Sequence, residues 1–204
     1  LNKSYYSNID RKFKKIIQWN QQNNFFNYLD TAFKYGDAEK IIGKTINKKN
    51  KIKIISKFSY DKTLINFDEI VNNFHQSLKN LKTNSLYGVL VHDNSMFNKK
   101  KINTTIRFLE YIKKNKLSKK IGISVYDKYE LKKNLKYFKF DIIQLPLNIF
   151  NQSFAIDNYL DEISKEYEIF VRSIFLQGLL LDVNANPDKY FNKYKNDFIK
   201  YSNF

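Results

Sequence analysis

Short runs of β-branched and aromatic residues alternate with longer amphipathic stretches along the chain. The short runs predict strands over Phe25–Ala32, Lys51–Phe58, Ser85–His92, Lys120–Tyr126, Phe140–Leu147 and Ile169–Leu176. The amphipathic stretches predict helices over Arg11–Asn23, Asp37–Lys48, Leu64–Leu81, Lys99–Asn115, Tyr129–Phe138 and Asp157–Tyr167. This alternation is typical of repeated βα units around a parallel sheet.

The predicted helices carry one apolar face each, and Leu64–Leu81 has the clearest one. Its apolar residues at helical spacing are Ile70, Val71, Phe74, Leu78 and Leu81. With only two prolines and five glycines, the chain has no linker, so we expect one domain over residues 1–204. Six strands and their helices fit either an open doubly wound sheet or a (β/α)8 barrel that lacks two of its units.

The composition narrows the class of protein. The absence of cysteine excludes disulfides, thiolate metal sites and cysteine nucleophiles, and it favours a cytoplasmic location. The apolar run Ile169–Leu181 is interrupted by Arg172 and Gln177 and falls short of the ~20 residues that span a bilayer, so we expect no membrane partner. The first ten residues have no export signal, and no metal site is expected.

A net charge of +16 raises the question of nucleic-acid binding. Only three of the 36 basic residues are arginines, whereas proteins that contact bases and phosphates favour the planar arginine fork. The lysines are spread over nearly all the predicted helices. We interpret the charge as solvated surface and expect no nucleic-acid partner.

Polar residues interrupt the predicted strands near their carboxyl ends, about one βα unit apart. They are Asp30, Lys57, His92, Ser124, Gln144 and Arg172. In a barrel such residues meet at the mouth where barrel enzymes keep their active sites. Tyr35 follows the first of these strands and reaches the same mouth. Neither a dinucleotide-binding glycine motif nor a P-loop occurs in the chain.

This combination of side chains solves a chemical problem. A phenol with an ordinary pKa near 10 is a weak acid at neutral pH, and a nearby ammonium such as Lys57 is expected to lower it. Asp30 offsets the cost of burying Lys57, and His92 orients a substrate oxygen toward Tyr35. Taken singly, each residue also has a plain interpretation: a turn cap for Asp30, a solvated strand end for Lys57, a loop histidine for His92.

Six segments together resemble the aldo-keto reductase family over roughly residues 11 to 181. They are Leu29–Glu39 with its D-T-A and Y-G pattern, Ser56–Phe58, Leu90–Asp93, Ile121–Ser124, Ile143–Asn148 and Arg172–Leu180. No single segment would suffice, and their order along the chain carries the resemblance.

The resemblance implies a (β/α)8 barrel and a nicotinamide cofactor, usually NADPH with NADH possible, bound without a Rossmann fold. It implies a catalytic tetrad of Asp30, Tyr35, Lys57 and His92. It also implies cofactor contacts from Ser124 and Gln144 to the nicotinamide carboxamide, from Arg172 to the nicotinamide ring, and from Ser173 to the pyrophosphate.

The chain departs from the family pattern in two respects. Val125 stands where many members have asparagine, so one carboxamide contact is missing. We expect barrel strands two to seven only, with a helical tail over residues 182–204, so that the chain is either a fragment of a longer protein or an unusually short relative.

The function expected from these residues is NADP(H)-dependent reduction of an aldehyde or ketone, with Tyr35 as proton donor and a small carbonyl compound as substrate. The alternative is a non-catalytic barrel of the same family that acts as a nucleotide-binding or protein-interaction subunit. An intact tetrad favours the enzyme, whereas missing strands favour the alternative. The pattern does not indicate the oligomeric state.

Overall fold

The computed structural model describes residues 3–46, 50–60, 62, 66–181 and 194–202. Its helices are α1 (Lys3–Asn23), α2 (Ala38–Thr45), α3 (Phe67–Leu81), α4 (Ile102–Lys114), α5 (Lys128–Asn134), α6 (Tyr159–Ser164) and α7 (Lys195–Ser202). Its strands are β1 (Tyr28–Asp30), β2 (Lys53–Phe58), β3 (Leu86–Val91), β4 (Ser118–Ser124), β5 (Ile142–Pro146) and β6 (Glu168–Arg172). All six predicted strands are therefore present.

The six strands lie in one sheet in the order β1 to β6, and each strand is parallel to its neighbours. A doubly wound sheet reverses its strand order at a switch point, whereas a barrel keeps the sequence order around its wall. The unbroken order therefore excludes the doubly wound alternative. The described strands form the arc of a (β/α) barrel.

The two faces of the arc bury different side chains. On the outer face, strand residues such as Val89, Ile121 and Ile143 pack against the helices in the larger core. The apolar face predicted for α3 joins them, with Ile70, Phe74, Leu78 and Leu81 all buried. On the inner face Ile55, Leu90 and Ile142 form a smaller core. Because strand side chains alternate between faces, Lys57 shares the inner face with Ile55.

Gly122 allows the inner face to close-pack. A Cβ atom there would lie 2.7 Å from the Cβ of Ile142 and 2.9 Å from the Cγ of Leu90. Any larger residue at position 122 would push β5 away from β4. Because Gly122 lies two residues before Ser124, this shift would occur close to the end of β4.

Several predicted bounds were wrong, by three residues at the starts of β1 and α4 and by eight at the start of α1. Strand β1 starts at Tyr28 rather than Phe25, because the Asn20 side chain holds Phe26 through two 2.8 Å hydrogen bonds to its backbone. Helix α4 starts at Ile102 rather than Lys99, because the Asn98 carboxamide accepts from the next backbone amides in a turn. Helix α1 starts at Lys3, well before Arg11.

The predicted helix limits at Lys48 and Leu64 lie outside the described residues, as do residues 182–193 and 203–204 of the predicted tail. Of that tail, the structure describes helix α7. Across the part of the chain that the structure describes, no helix is both long and apolar enough to cross a membrane.

Candidate active site

The loop after β1 carries Tyr35 to the carboxyl end of the sheet. Phe33 N donates to Lys57 O at 3.0 Å, which fastens the loop to β2, and Tyr35 N donates to Ala32 O at 2.9 Å. Gly36 follows with a φ of +57°, a left-handed conformation that glycine adopts without steric cost. The D-T-A and Y-G residues of the sequence thus fix the position of the phenol.

Lys57 and Asp30 form an ion pair at the adjacent ends of β2 and β1. The Lys57 ammonium donates to both carboxylate oxygens at 2.5 Å. The lysine side chain is only 2% exposed, while that of Asp30 is 41% exposed. A buried ammonium is costly without a partner, so the carboxylate is what permits Lys57 to occupy the inner face.

Tyr35 and His92 complete a group of four around this pair. The Lys57 ammonium lies 5.4 Å from the centre of the Tyr35 ring. The Tyr35 and His92 rings meet edge to face, with centres 5.8 Å apart. His92 N donates to Phe58 O at 2.9 Å, which extends the β2–β3 ladder and holds the imidazole at the mouth. The structure thus brings together the four residues predicted as a tetrad.

Burial controls the charge state of two of these residues. It lowers the pKa of Lys57, and the Asp30 carboxylate opposes that effect. Burial also lowers the pKa of His92, with a further contribution from the Lys57 charge. The imidazole is therefore neutral at neutral pH.

The expected effect of Lys57 on Tyr35 was wrong. Burial and the Asp30 carboxylate raise the pKa of Tyr35 above its ordinary value, and the charge that lowers it is that of Arg172. The physical reason is that burial disfavours the charged phenolate and that the negative Asp30 carboxylate beside it disfavours a second negative charge. Tyr35 consequently stays protonated at neutral pH.

Ser124 and Gln144 stand beside each other at the ends of β4 and β5, in direct register. Both are buried, at 3% and 2% exposure. The Gln144 Oε1 atom has no hydrogen-bond partner, which is costly for a buried amide oxygen unless a ligand donates to it. Val125 is buried in the outer core rather than at the mouth, so residue 125 contributes no side chain here.

Arg172 ends β6 and lies across the mouth from the tetrad. Its Nε donates to Ser124 Oγ at 3.3 Å and its Nη2 to the Val125 carbonyl at 3.1 Å. Its guanidinium carbon lies 4.4 Å from the centre of the Tyr126 ring. The next residue, Ser173, has a φ of +60°, so the strand ends there in a turn that is strained for a serine.

The side chains at the mouth line one open cavity of about 600 Å³. Its lining includes the eight predicted site residues, Asp30, Tyr35, Lys57, His92, Ser124, Gln144, Arg172 and Ser173. Sequence reasoning missed Tyr126 and Leu181, which also line it. Tyr126 could have been found, because it follows Ser124 by two residues at a strand end. No group of three metal-ligating side chains occurs among the described residues.

Comparisons with known proteins bear on the family and the fold of the chain. The sequence profile of the aldo/keto reductase family matches residues 12–202. A sequence search among curated proteins found no match.

Several solved structures share the fold. An aldo-keto reductase from Bacillus halodurans in its holo form has a TM-score of 0.70 at 22% identity, over 88% of this chain and 62% of its own. A glycerol dehydrogenase from Gluconobacter oxydans has a TM-score of 0.67 at 22% identity, over 89% and 62%. An aldo/keto reductase from Brucella melitensis has a TM-score of 0.61 at 23% identity, over 80% and 63%. The chain thus spans less than two thirds of the length of these three structures.

Proposed function

Because the chain belongs to the aldo/keto reductase family, we propose that it carries the active site of an NADPH-dependent reductase that converts an aldehyde or ketone to an alcohol. The observation that carries the proposal is the convergence of Asp30, Tyr35, Lys57 and His92 on one cavity of about 600 Å³. A non-catalytic barrel that only binds a nucleotide or a protein would not require a protonated phenol beside a buried ion pair.

The residues at the ends of β4 and β5 fit a nicotinamide. The unpartnered Gln144 Oε1 matches the amide N–H of a carboxamide, and the Ser124 hydroxyl stands next to it. The flat face of Arg172 would contact the nicotinamide ring, and the strained turn at Ser173 would contact the pyrophosphate on the same side of the cavity. When bound, the reduced nicotinamide supplies a hydride to the carbonyl carbon.

Tyr35 is the proton donor in this proposal. A raised pKa keeps its hydroxyl protonated at neutral pH, so a proton is available for the carbonyl oxygen as negative charge develops there. The phenol is 50% exposed at the mouth, where a substrate oxygen can approach it.

The other three residues orient the substrate and hold the phenol. His92 is neutral, so one ring N–H is available to donate a hydrogen bond to the substrate oxygen without a competing charge. Lys57 packs its ammonium near the Tyr35 ring, and Asp30 keeps that ammonium charged and fixed. Asp30 thereby fixes the ammonium over the Tyr35 ring.

Isotope transfer tests the proposal. The complete protein is incubated with an aldehyde and NADPH that carries deuterium at the hydride position, and the alcohol is examined by mass spectrometry. We expect deuterium on the carbinol carbon with labelled NADPH in ordinary water, and none with unlabelled NADPH in deuterated water. Solvent deuterium on that carbon, or no alcohol across a panel of aliphatic and aromatic aldehydes, would contradict the proposal.

A further inference from the structure

Glu39 is a buried carboxylate on the outer side of the sheet. It lies in the first turn of α2 and is only 3% exposed. Burying a carboxylate is costly unless a partner donates to it, and here the Ser56 hydroxyl donates to Oε1 at 2.9 Å. Ser56 is itself 5% exposed. An apolar side chain would fill the same space at lower cost, so packing alone does not account for the carboxylate.

This hydrogen bond joins the two segments that carry Tyr35 and Lys57. Ser56 lies next to Lys57 in β2 and faces the outer side, because neighbouring strand residues alternate between the faces of a sheet. On the other segment, the Ala38 amide at the start of α2 donates to the Tyr35 carbonyl at 3.1 Å. Glu39 is the next residue of that helix. The hydrogen bond therefore ties the end of the Tyr35 loop to the strand position beside Lys57.

The Tyr35 loop is attached to β2 on both sides of the phenol. Before Tyr35, the Lys57 ammonium pairs with Asp30, and Phe33 N donates to Lys57 O at 3.0 Å. Both of these contacts precede the phenol in sequence, whereas Glu39 follows it. Without the Glu39 contact, the loop would lose its side-chain attachment to β2 after Tyr35.

We propose, on the basis of the reductase function above, that Glu39 is a positioning residue for proton transfer. By accepting the Ser56 hydrogen bond behind the sheet, it fixes the Tyr35 phenol relative to Lys57 at the mouth. The rate of reaction depends steeply on such placement, since a displacement of about 1 Å can cost about 10²-fold. Glu39 acts only through the loop and the strand that it joins.

A matched pair of variants separates the hydrogen bond from the charge. Glu39→Met keeps the length and helix propensity of the side chain and removes the acceptor, whereas Glu39→Gln keeps an acceptor oxygen and removes the charge. With the complete protein at saturating aldehyde and NADPH, we expect the single-turnover rate to fall about tenfold or more in Glu39→Met and at most about twofold in Glu39→Gln. NADPH affinity should be nearly unchanged in both, because Ser124 and Gln144 lie on other strands. Equal losses in the two variants, or no loss in Glu39→Met, would overturn the inference.

Ser56→Ala tests whether Glu39 acts through this hydrogen bond, and it serves in the same way if Glu39→Met does not fold. We expect Ser56→Ala to slow the reaction as well, and the double variant to be no slower than the slower single variant. Losses that multiply in the double variant would show that the two residues act independently and would overturn the inference. Leu131→Ala in α5 is the control for lost stability, because it truncates a fully buried side chain away from the loop. It should keep the wild-type rate.

Amide hydrogen exchange separates this inference from the proposed function, because it requires no reduction. It is measured in the wild type, in Glu39→Met and in Ser56→Ala. In both variants the Phe33 and Tyr35 amides should exchange about tenfold faster or more, relative to the Val125 amide at the end of β4. Faster exchange confined to the loop supports the inference even if no aldehyde is reduced. An equal rise at all three amides would assign the hydrogen bond to global stability and would overturn the inference even if the wild type is active.

Discussion

At the scale of single residues, the account depends on the unequal exposure of Lys57 and Asp30. Lys57 is 2% exposed and has little water to solvate its charge, whereas Asp30 is 41% exposed. Removing the carboxylate therefore leaves a buried ammonium without a partner. Removing both charges leaves no buried charge at this position.

This asymmetry gives a stability prediction. Asp30→Asn should lower the free energy of unfolding by about 1 to 3 kcal/mol, less than for a fully buried pair because Asp30 is partly solvated. The double variant Asp30→Asn with Lys57→Met should recover part of that loss. Urea unfolding of the four proteins measures both effects. A double variant less stable than the sum of the two single changes would contradict the account of the pair.

The pKa of Tyr35 gives a prediction for the dependence of reduction on pH. A general acid must be protonated to act, and burial raises the pKa of this phenol above the ordinary 10.0. The chemical step should therefore be flat across neutral pH and decline only as the pH rises past the ordinary tyrosine value. A plot of single-turnover rate against pH tests this. A decline that begins well below that value would show that the Tyr35 pKa is lowered in the working site.

How far the site could be predicted also depends on single residues. The position of Gln144 followed from the sequence, because a polar residue at the carboxyl end of a barrel strand is expected at the mouth of the barrel. The direction of the Tyr35 pKa did not, because it depends on how far the folded chain buries the phenol and on how close the Asp30 carboxylate lies to it. The contact between Arg172 and Tyr126 depends on the relative placement of two strand ends, which no spacing in the sequence contains.

At the scale of elements, strand identity was more predictable than strand limits. Short runs of β-branched and aromatic residues between amphipathic stretches defined all six strands, since such residues favour strands wherever the strand limits fall. The limits depend on tertiary contacts, such as the Asn20 side chain that holds Phe26 outside β1. Strand β6 ends at Arg172 rather than Leu176 because Ser173 adopts a left-handed conformation.

The packing of β4 against β5 gives a prediction at this scale. Gly122→Ala places a methyl group 2.7 Å from the Cβ and the carbonyl oxygen of Ile142, which forces the two strands apart. We expect a loss of about 1 to 3 kcal/mol in stability. Because Ser124 and Gln144 are in register across the same pair of strands, NADPH affinity should fall as well. An unchanged urea midpoint would show that the inner face has more room than the structure indicates.

At the scale of the whole molecule, the sequential order of the parallel strands determines which residues meet at the mouth of the barrel. In this arrangement each βα unit delivers one strand end to the same mouth, so residues far apart in sequence meet there. That is why Asp30 and Arg172, which are 142 positions apart by their numbers, line one cavity.

The net charge of +16 belongs to this scale too, and we expect it to give only weak binding to nucleic acids. Dispersed lysines release counterions without reading bases, so binding to duplex DNA should be independent of sequence and lost at about 200 mM salt. Fluorescence anisotropy with two unrelated duplexes measures this. A sequence-specific complex that survives such salt would contradict the interpretation of the charge as solvated surface.

The central claim is that Tyr35 donates the proton in carbonyl reduction, and Tyr35→Phe tests it most directly. The substitution keeps the ring against His92 and removes only the hydroxyl, so NADPH affinity should be nearly unchanged. Tyr126→Phe is the matched control, because it removes a phenol from the same cavity without removing the proposed acid. With aldehyde and NADPH saturating, we predict that the single-turnover rate falls by about 10²- to 10⁴-fold in Tyr35→Phe and only a few-fold in Tyr126→Phe. Reduction by Tyr35→Phe at the wild-type rate would contradict the account.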